Sequence, residues 1–117
     1  MLVDAPCSGL GALRRRPDAR WRIQPTDVGE LAGLQRRILL ASASLVRPGG
    51  TLVYSVCTLT RAESTEVVAA AASVLAELGF LPDLPDTGGW APYGDDTLVL
   101  TPQPGADGMA LARWTRT

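Results

Sequence analysis

The chain contains no histidine and only two cysteines, Cys7 and Cys57. Two thiols without an imidazole cannot complete a tetrahedral zinc site, which argues against structural zinc. The thiols stand fifty positions apart with no Cys-x-x-Cys pair, which argues against a dedicated dithiol redox protein. No apolar run is long enough to cross a bilayer, and the start is acidic and turns at once instead of reading as a signal peptide. Internal repeats and low-complexity linkers are also missing. These absences leave one expectation: a cytoplasmic protein, with no membrane or metal partner, whose thiols stay reduced.

What is present fits 117 residues, enough for one domain and hardly more. Apolar residues make up 46% and charged residues 20%, ordinary values for a globular chain. The net charge of −1 gives no global pull toward nucleic acid or membrane. The charges are unevenly placed, however. Arg14, Arg15, Arg16, Arg20 and Arg22 cluster, while acids gather between Asp83 and Asp96, so a local basic patch survives a neutral total.

Leu2 and Val3 read as the end of a strand that stops at the Pro- and Gly-rich loop "DAPCSGLG". Asp27 and Glu30, three apart, predict a capped helix start. Leu31, Leu34, Ile38, Ala41 and Leu45 supply its apolar stripe, and "RPGG" (Arg47 to Gly50) ends it. "TLVYSV" (Thr51 to Val56) is apolar without strict alternation, as in a strand covered on both faces. Thr60 and Glu63 read as caps of a second helix, with Glu66 on its surface. That helix carries Val67, Ala71, Val74, Leu75 and Leu78 on its stripe and closes at Gly79. "DLPDTGGWAPYGDD" reads as a loop, and "TLVLT" and "MALARWTRT" as a terminal hairpin. The order strand, helix, strand, helix, strand, strand predicts an α/β sheet, parallel at first and antiparallel at the end. The first strand is apolar enough for a central position, so the chain reads as half of a sheet.

In such a sheet, ligands bind beyond the carboxyl ends of the parallel strands. Cys7 and Cys57 each lie just past such an end. If the two strands are neighbours, both thiols face one crevice. A lone cysteine is more often a small buried hydrophobe; two at matching strand ends beside turns point to chemistry.

"LVDAPCSGLGALRRRPDARW" and "LVYSVCTLTRAESTEVV" resemble two signature segments of the Sun (RsmB/NOP) family of RNA cytosine-5 methyltransferases. "ELAGLQRRIL", "LVRPGGTLVYS" and "DGMALARW" follow in that family's order. The chain departs from the family at Val56, where threonine is usual, in "TRAESTE", and at Met109 and Ala110, where aromatics are common.

The resemblance implies the second half of a Rossmann-like methyltransferase domain that uses S-adenosylmethionine. The glycine-rich cofactor loop and the acids for ribose and adenine would belong to a missing amino-terminal half. By resemblance, Cys57 is the nucleophile that adds to carbon 6 of cytosine, and Cys7 is the second thiol, which assists product release. Asp4 matches the acid that contacts S-adenosylmethionine near the target base, and Pro6 the proline that shapes the base pocket. A free thiol has a pKa of about 8.5, so local positive potential would help it ionise. Arg14, Arg15, Arg16 and Arg20, with Trp21 alongside, are expected to favour that thiolate and to hold phosphates of an RNA, ribosomal by resemblance. Gly9 and Gly11 permit close backbone approach but are not assigned a ligand. Two alternatives remain open. One is a catalytically silent RNA-binding or interaction module, and the other an arrangement in which the thiol of the Pro-Cys pair attacks.

Overall fold

The computed structural model describes residues 1–86 and 88–117. Thr87, inside the predicted loop 83–96, lies outside the described residues. The parallel start is β1 (Leu2–Asp4) beside β2 (Thr51–Val56), in register Leu2↔Val53, Val3↔Tyr54 and Asp4↔Ser55. Between them run a single-turn helix α1 (Ala19–Arg22) and the long helix α2 (Pro25–Ser44). The helix α3 (Thr65–Glu77) follows β2, and four strands complete the chain: β3 (Phe80–Pro82), β4 (Ala91–Pro92), β5 (Leu98–Leu100) and β6 (Met109–Arg116). The sheet order is β1-β2-β6-β5-β4, with β3 pairing the far end of β6. Every pairing of β6 is antiparallel. The predicted change from parallel to antiparallel therefore holds. Two short strands, β3 and β4, were not legible in the sequence.

β1 lies at the edge of this sheet, with Met1 and Leu2 exposed and only Val3 buried within the strand. The central position expected from its composition is not realised among the described residues.

Leu52, Tyr54 and Val56 of β2 and Ala110, Ala112 and Trp114 of β6 point into one cluster with side chains of α2 and α3. Thr51 is exposed and Val53 half-buried, so β2 is covered mainly on one face, not on both as its composition suggested. The layering is helices on one side of a sheet.

Both helices start and stop for identifiable reasons. Pro25 opens α2, where a missing N–H costs nothing. The cap is Gln24, three residues before the predicted Asp27. Asp27 instead accepts a 2.8 Å hydrogen bond from the Gln24 amide, closing the capping box from the other side. The fully buried positions of α2 are Gln35, Leu39 and Ala43, followed by Val46 beyond the helix end; of the predicted stripe, Ile38 packs against the core, Leu31 and Leu34 are half-buried, and Ala41 and Leu45 are exposed. Leu45 is 75% exposed. The inward stripe is offset because it begins with a polar residue, whose role lies at the site below. For α3, Val67, Ala71 and Leu75 face inward as predicted, joined by Val68. Gly79, at φ +86°, takes the left-handed turn that ends it.

The offset stripe has a measurable consequence. Leu39→Ala should lower unfolding free energy by about 2–5 kcal/mol, because Leu39 is fully buried. Leu45→Ala should change it by less than about 0.5 kcal/mol. Urea denaturation of both variants checks this; equal losses would contradict the assignment of faces.

Candidate active site

The parallel register fixes the geometry of everything that follows. Asp4 sits beside Ser55, so Cys7 and Cys57 leave the two strands at nearly the same height. The chain then tightens the pair. The Ala5 amide donates to the Ser55 carbonyl at 3.1 Å, and the Gly11 amide to the Cys57 carbonyl at 2.9 Å. The Gly11 carbonyl in turn accepts from the Gly108 amide at 2.7 Å. A Cβ on Gly11 would stand 2.2 Å from the Gly108 oxygen and 2.9 Å from that of Cys57, so only glycine fits between these backbones. The outcome is a Cys7 Sγ to Cys57 Sγ separation of 3.2 Å, with both thiols free and half-buried.

The thiols border a cleft of about 680 Å³, whose lining includes Asp4, Pro6, Cys7, Arg15, Arg16 and Cys57. The crevice expected beyond the two strand ends is thus present, with carboxylate, proline, thiols and guanidinium groups around it. Arg22, from α1, also reaches it and pairs with Asp18 at 2.8 Å.

The predicted arginines divide into two sets. Arg14 and Arg15 both meet Asp107, at 3.5 Å and 2.5 Å, and the Arg15 Nε donates a second bond at 2.7 Å. The Arg15 guanidinium holds the Asp107 carboxyl below the usual carboxylate range. Arg16 and Arg20 are exposed, and the Arg20 guanidinium lies 5.2 Å from the Trp21 ring centre. Trp21 is itself 78% exposed, and neither it nor Arg20 lines the cleft. Sequence reasoning gave Asp107 no role. Its ninety-odd positions of separation from Arg15 hid the partnership, and only the resemblance of "DGMALARW" hinted that this turn mattered.

Beneath the thiols lies a second feature that the sequence misrepresented. Glu63, read as a helix cap, is fully buried. The cap position belongs to Ser64. The Glu63 carboxylate accepts from the Ser8 amide and the Ser8 hydroxyl, each at 2.7 Å, and from Thr58 at 2.9 Å. Thr60 donates at 2.6 Å and the Gln35 side chain at 3.2 Å. Burial on its own would raise the pKa of this acid. The bonds from Thr60, Ser8 and Thr58 together outweigh that and hold it below its ordinary value, so it is an anion at neutral pH. Gln35 also donates to the Pro6 carbonyl at 2.9 Å and accepts from the Tyr54 hydroxyl at 3.2 Å, which explains a polar residue on the inward face of α2. Tyr54 gives a further bond to the Glu63 carbonyl at 2.6 Å. Burial, then the charge of Glu63, keeps the Tyr54 phenol protonated.

Burial, followed by the contact with Cys57, pushes the Cys7 thiol up to about 12. Cys7 therefore carries its proton at neutral pH and can donate it toward the Cys57 sulfur.

A model of the family described as 16S rRNA methyltransferase RsmB/F matches residues 1–114. Ribosomal RNA small subunit methyltransferase B of Thermus thermophilus is 47% identical over 70 residues, covering 60% of this chain and 18% of that protein. The crystal structure of PH0851 superposes with a TM-score of 0.86 at 29% identity, covering 97% of this chain and 25% of that one. NSun6 from Pyrococcus horikoshii, solved with SFG, shares the fold with a TM-score of 0.76 at 24% identity, covering 98% of this chain and 29% of that one. These superpositions make the sheet and its helices part of a Rossmann-like methyltransferase fold. The chain spans less than a fifth of the length of the Thermus relative. The family match runs through Asp4, both thiols, Glu63 and Asp107, and by it the chain belongs to the RsmB/F family of 16S rRNA methyltransferases.

Proposed function

We propose that this chain is the thiol-bearing, carboxyl-terminal part of the catalytic domain of an rRNA (cytosine-5) methyltransferase. The observation that carries the reading is the 3.2 Å pair of sulfurs bordering a cleft that also holds a carboxylate and arginines. Carbon 5 of cytosine is a poor nucleophile. Addition of the Cys57 sulfur to carbon 6 converts the ring to an enamine, which makes carbon 5 reactive. S-adenosylmethionine would supply the methyl group that carbon 5 takes up. Transfer of the carbon 5 proton to a solvent water then lets the Cys57 sulfur leave with its bonding electrons, which restores the aromatic ring.

Each neighbouring group has a chemical role in this scheme. Cys7, which burial keeps protonated, can hydrogen-bond the Cys57 sulfur at 3.2 Å and so stabilise negative charge as that sulfur departs. Asp4, exposed beside the cleft, fits a group carrying positive charge or the exocyclic amine of the base. It is the residue of this segment that would touch S-adenosylmethionine; the ribose and adenine contacts would come from another part of the protein. Pro6 fixes the wall against which the base lies. Arg16 and Arg20, both exposed, would meet phosphates, and the exposed Trp21 would offer a face for a stacked base. Arg14 and Arg15, held by Asp107, contribute positive potential near the thiols more than free phosphate contacts. The cytoplasm, where rRNA and reduced thiols meet, is the compartment in which this chemistry would run.

RNA containing 5-fluorocytidine traps the adduct, because fluorine cannot leave as the proton does. Incubated with S-adenosylmethionine and the protein carrying this segment, it should give a denaturation-resistant complex. Cys57→Ala should abolish that complex, and Cys7→Ala should let an adduct accumulate on ordinary RNA. The opposite pattern would assign attack to Cys7, and no adduct at all would favour an RNA-binding or interaction module.

Binding should also separate the arginines. Arg16→Ala and Arg20→Ala should each lower the slope of log affinity against log salt by roughly 0.7 to 0.9. Trp21→Ala should weaken single-stranded RNA binding by about 1–3 kcal/mol with little change in slope. Filter binding over a salt series reads both effects, and an unchanged slope would remove Arg16 and Arg20 from the interface.

A further inference from the structure

We infer that Glu63 is a positioning residue for the thiol pair: one buried anion clamps the two cysteine-bearing loops together and sets the distance between their sulfurs. The inference deepens the proposed function and rests on it for its catalytic meaning.

The case is geometric. Ser8 follows Cys7 directly and Thr58 follows Cys57 directly, and both donate to the same carboxylate. One carboxylate oxygen takes the Ser8 amide and the Gln35 amide; the other takes the hydroxyls of Ser8, Thr58 and Thr60. Ser8 and Thr58 also touch each other at 3.0 Å. The two loops are therefore joined one residue away from each sulfur, through charge-assisted bonds inside the protein. Such bonds are about twice as strong as neutral ones, and the surroundings cannot supply water in their place, since Ser8, Thr58 and Glu63 are all buried. A capping role for Glu63 would require bonds to helix amides; its partners are loop groups and Gln35 instead.

Burying a carboxylate is costly unless it is fully bonded. A stability role alone would be served as well by apolar packing. What apolar packing cannot do is fix two loops at a defined spacing, because it has no directionality. Glu63→Gln is the informative change. An amide oxygen facing Ser8 N–H and Gln35 preserves those bonds. The amide NH2 then confronts three hydroxyls whose protons all point at it, so they must turn and the clamp loosens.

The spacing of the sulfurs can be read without RNA or methyl donor. Dibromobimane alkylates two neighbouring thiols, each sulfur displacing one bromide, and becomes fluorescent when both have reacted. Monobromobimane reports the reactivity of each thiol singly. In the full-length protein, the bridging rate relative to single alkylation should fall about tenfold or more in Glu63→Gln, as expected when reacting groups are displaced by a fraction of an ångström to an ångström. A folded Glu63→Gln protein, by circular dichroism, that bridges at the original ratio overturns the clamp. General loosening of the fold would speed single alkylation of both thiols, and that outcome without a fall in the ratio also overturns it. If Glu63→Gln does not fold, Ser8→Ala and Thr58→Val carry the test, each removing one hydroxyl. Both should lower the ratio, and unchanged ratios in both would overturn the clamp. In the methylation assay, Glu63→Gln should lower kcat with the KM for RNA little changed. Should bridging respond as expected while the unaltered protein forms no adduct with 5-fluorocytidine RNA, the clamp stands and the methyltransferase reading falls.

Discussion

The parallel pairing of β1 with β2 is the constraint on which the rest depends. Three residues of one strand beside three of the next, with Asp4 level with Ser55, decide that two loops begin side by side. Parallel strands send their carboxyl ends in one direction, so residues following them share a side of the sheet. Everything local then acts on that juxtaposition. Gly11 removes the side chain that would keep the backbones apart, and Glu63 joins the loops from below. An antiparallel partner in place of β1 would put the same two cysteines at opposite ends of the sheet.

The electrostatics are organised in layers rather than by net charge. A buried anion lies under the thiols, Arg15, Arg16 and Arg22 line the cleft, and Asp107 anchors Arg15 together with its neighbour Arg14. All eleven basic residues are arginines, whose planar forks suit two-point contacts to carboxylate or phosphate. The Arg14 and Arg15 pairing with Asp107 ties the arginine segment to the turn before β6. A segment that would otherwise be a solvated charge run thereby has a fixed place near the sulfurs. Such exposed pairs add little stability individually; their value here is placement.

Much of this was legible in the sequence, and the failures have physical reasons. Strand ends at Asp4 and Val56, each followed within three residues by a cysteine, pointed to the crevice and its thiols. Periodicity placed α3 correctly because its inward residues are apolar. The same reasoning missed the inward face of α2 because that face begins with Gln35, which is inside only by virtue of Pro6, Tyr54 and Glu63. A pattern of hydrophobicity cannot register a polar residue whose partners come from three other elements. Glu63 was misread for the same cause: three residues after Thr60 it has capping spacing, while its true partners include Ser8, fifty-five positions earlier. β3 and β4 are too short to carry alternation, and they exist because β6 and β5 offer them open ladder positions.

The margin of β1 carries a consequence for how the cleft is made. Among the described residues no strand lies beside its outer amides and carbonyls, and Met1 and Leu2 are exposed there. Asp4 and Pro6, at the end of this same strand, line the cleft. Arg15, Arg16 and Arg22 line it with them, so residues of one short stretch of chain, from Asp4 to Ile23, supply most of its lining. The loop that carries the first sulfur therefore leads directly into the segment that brings the positive charge.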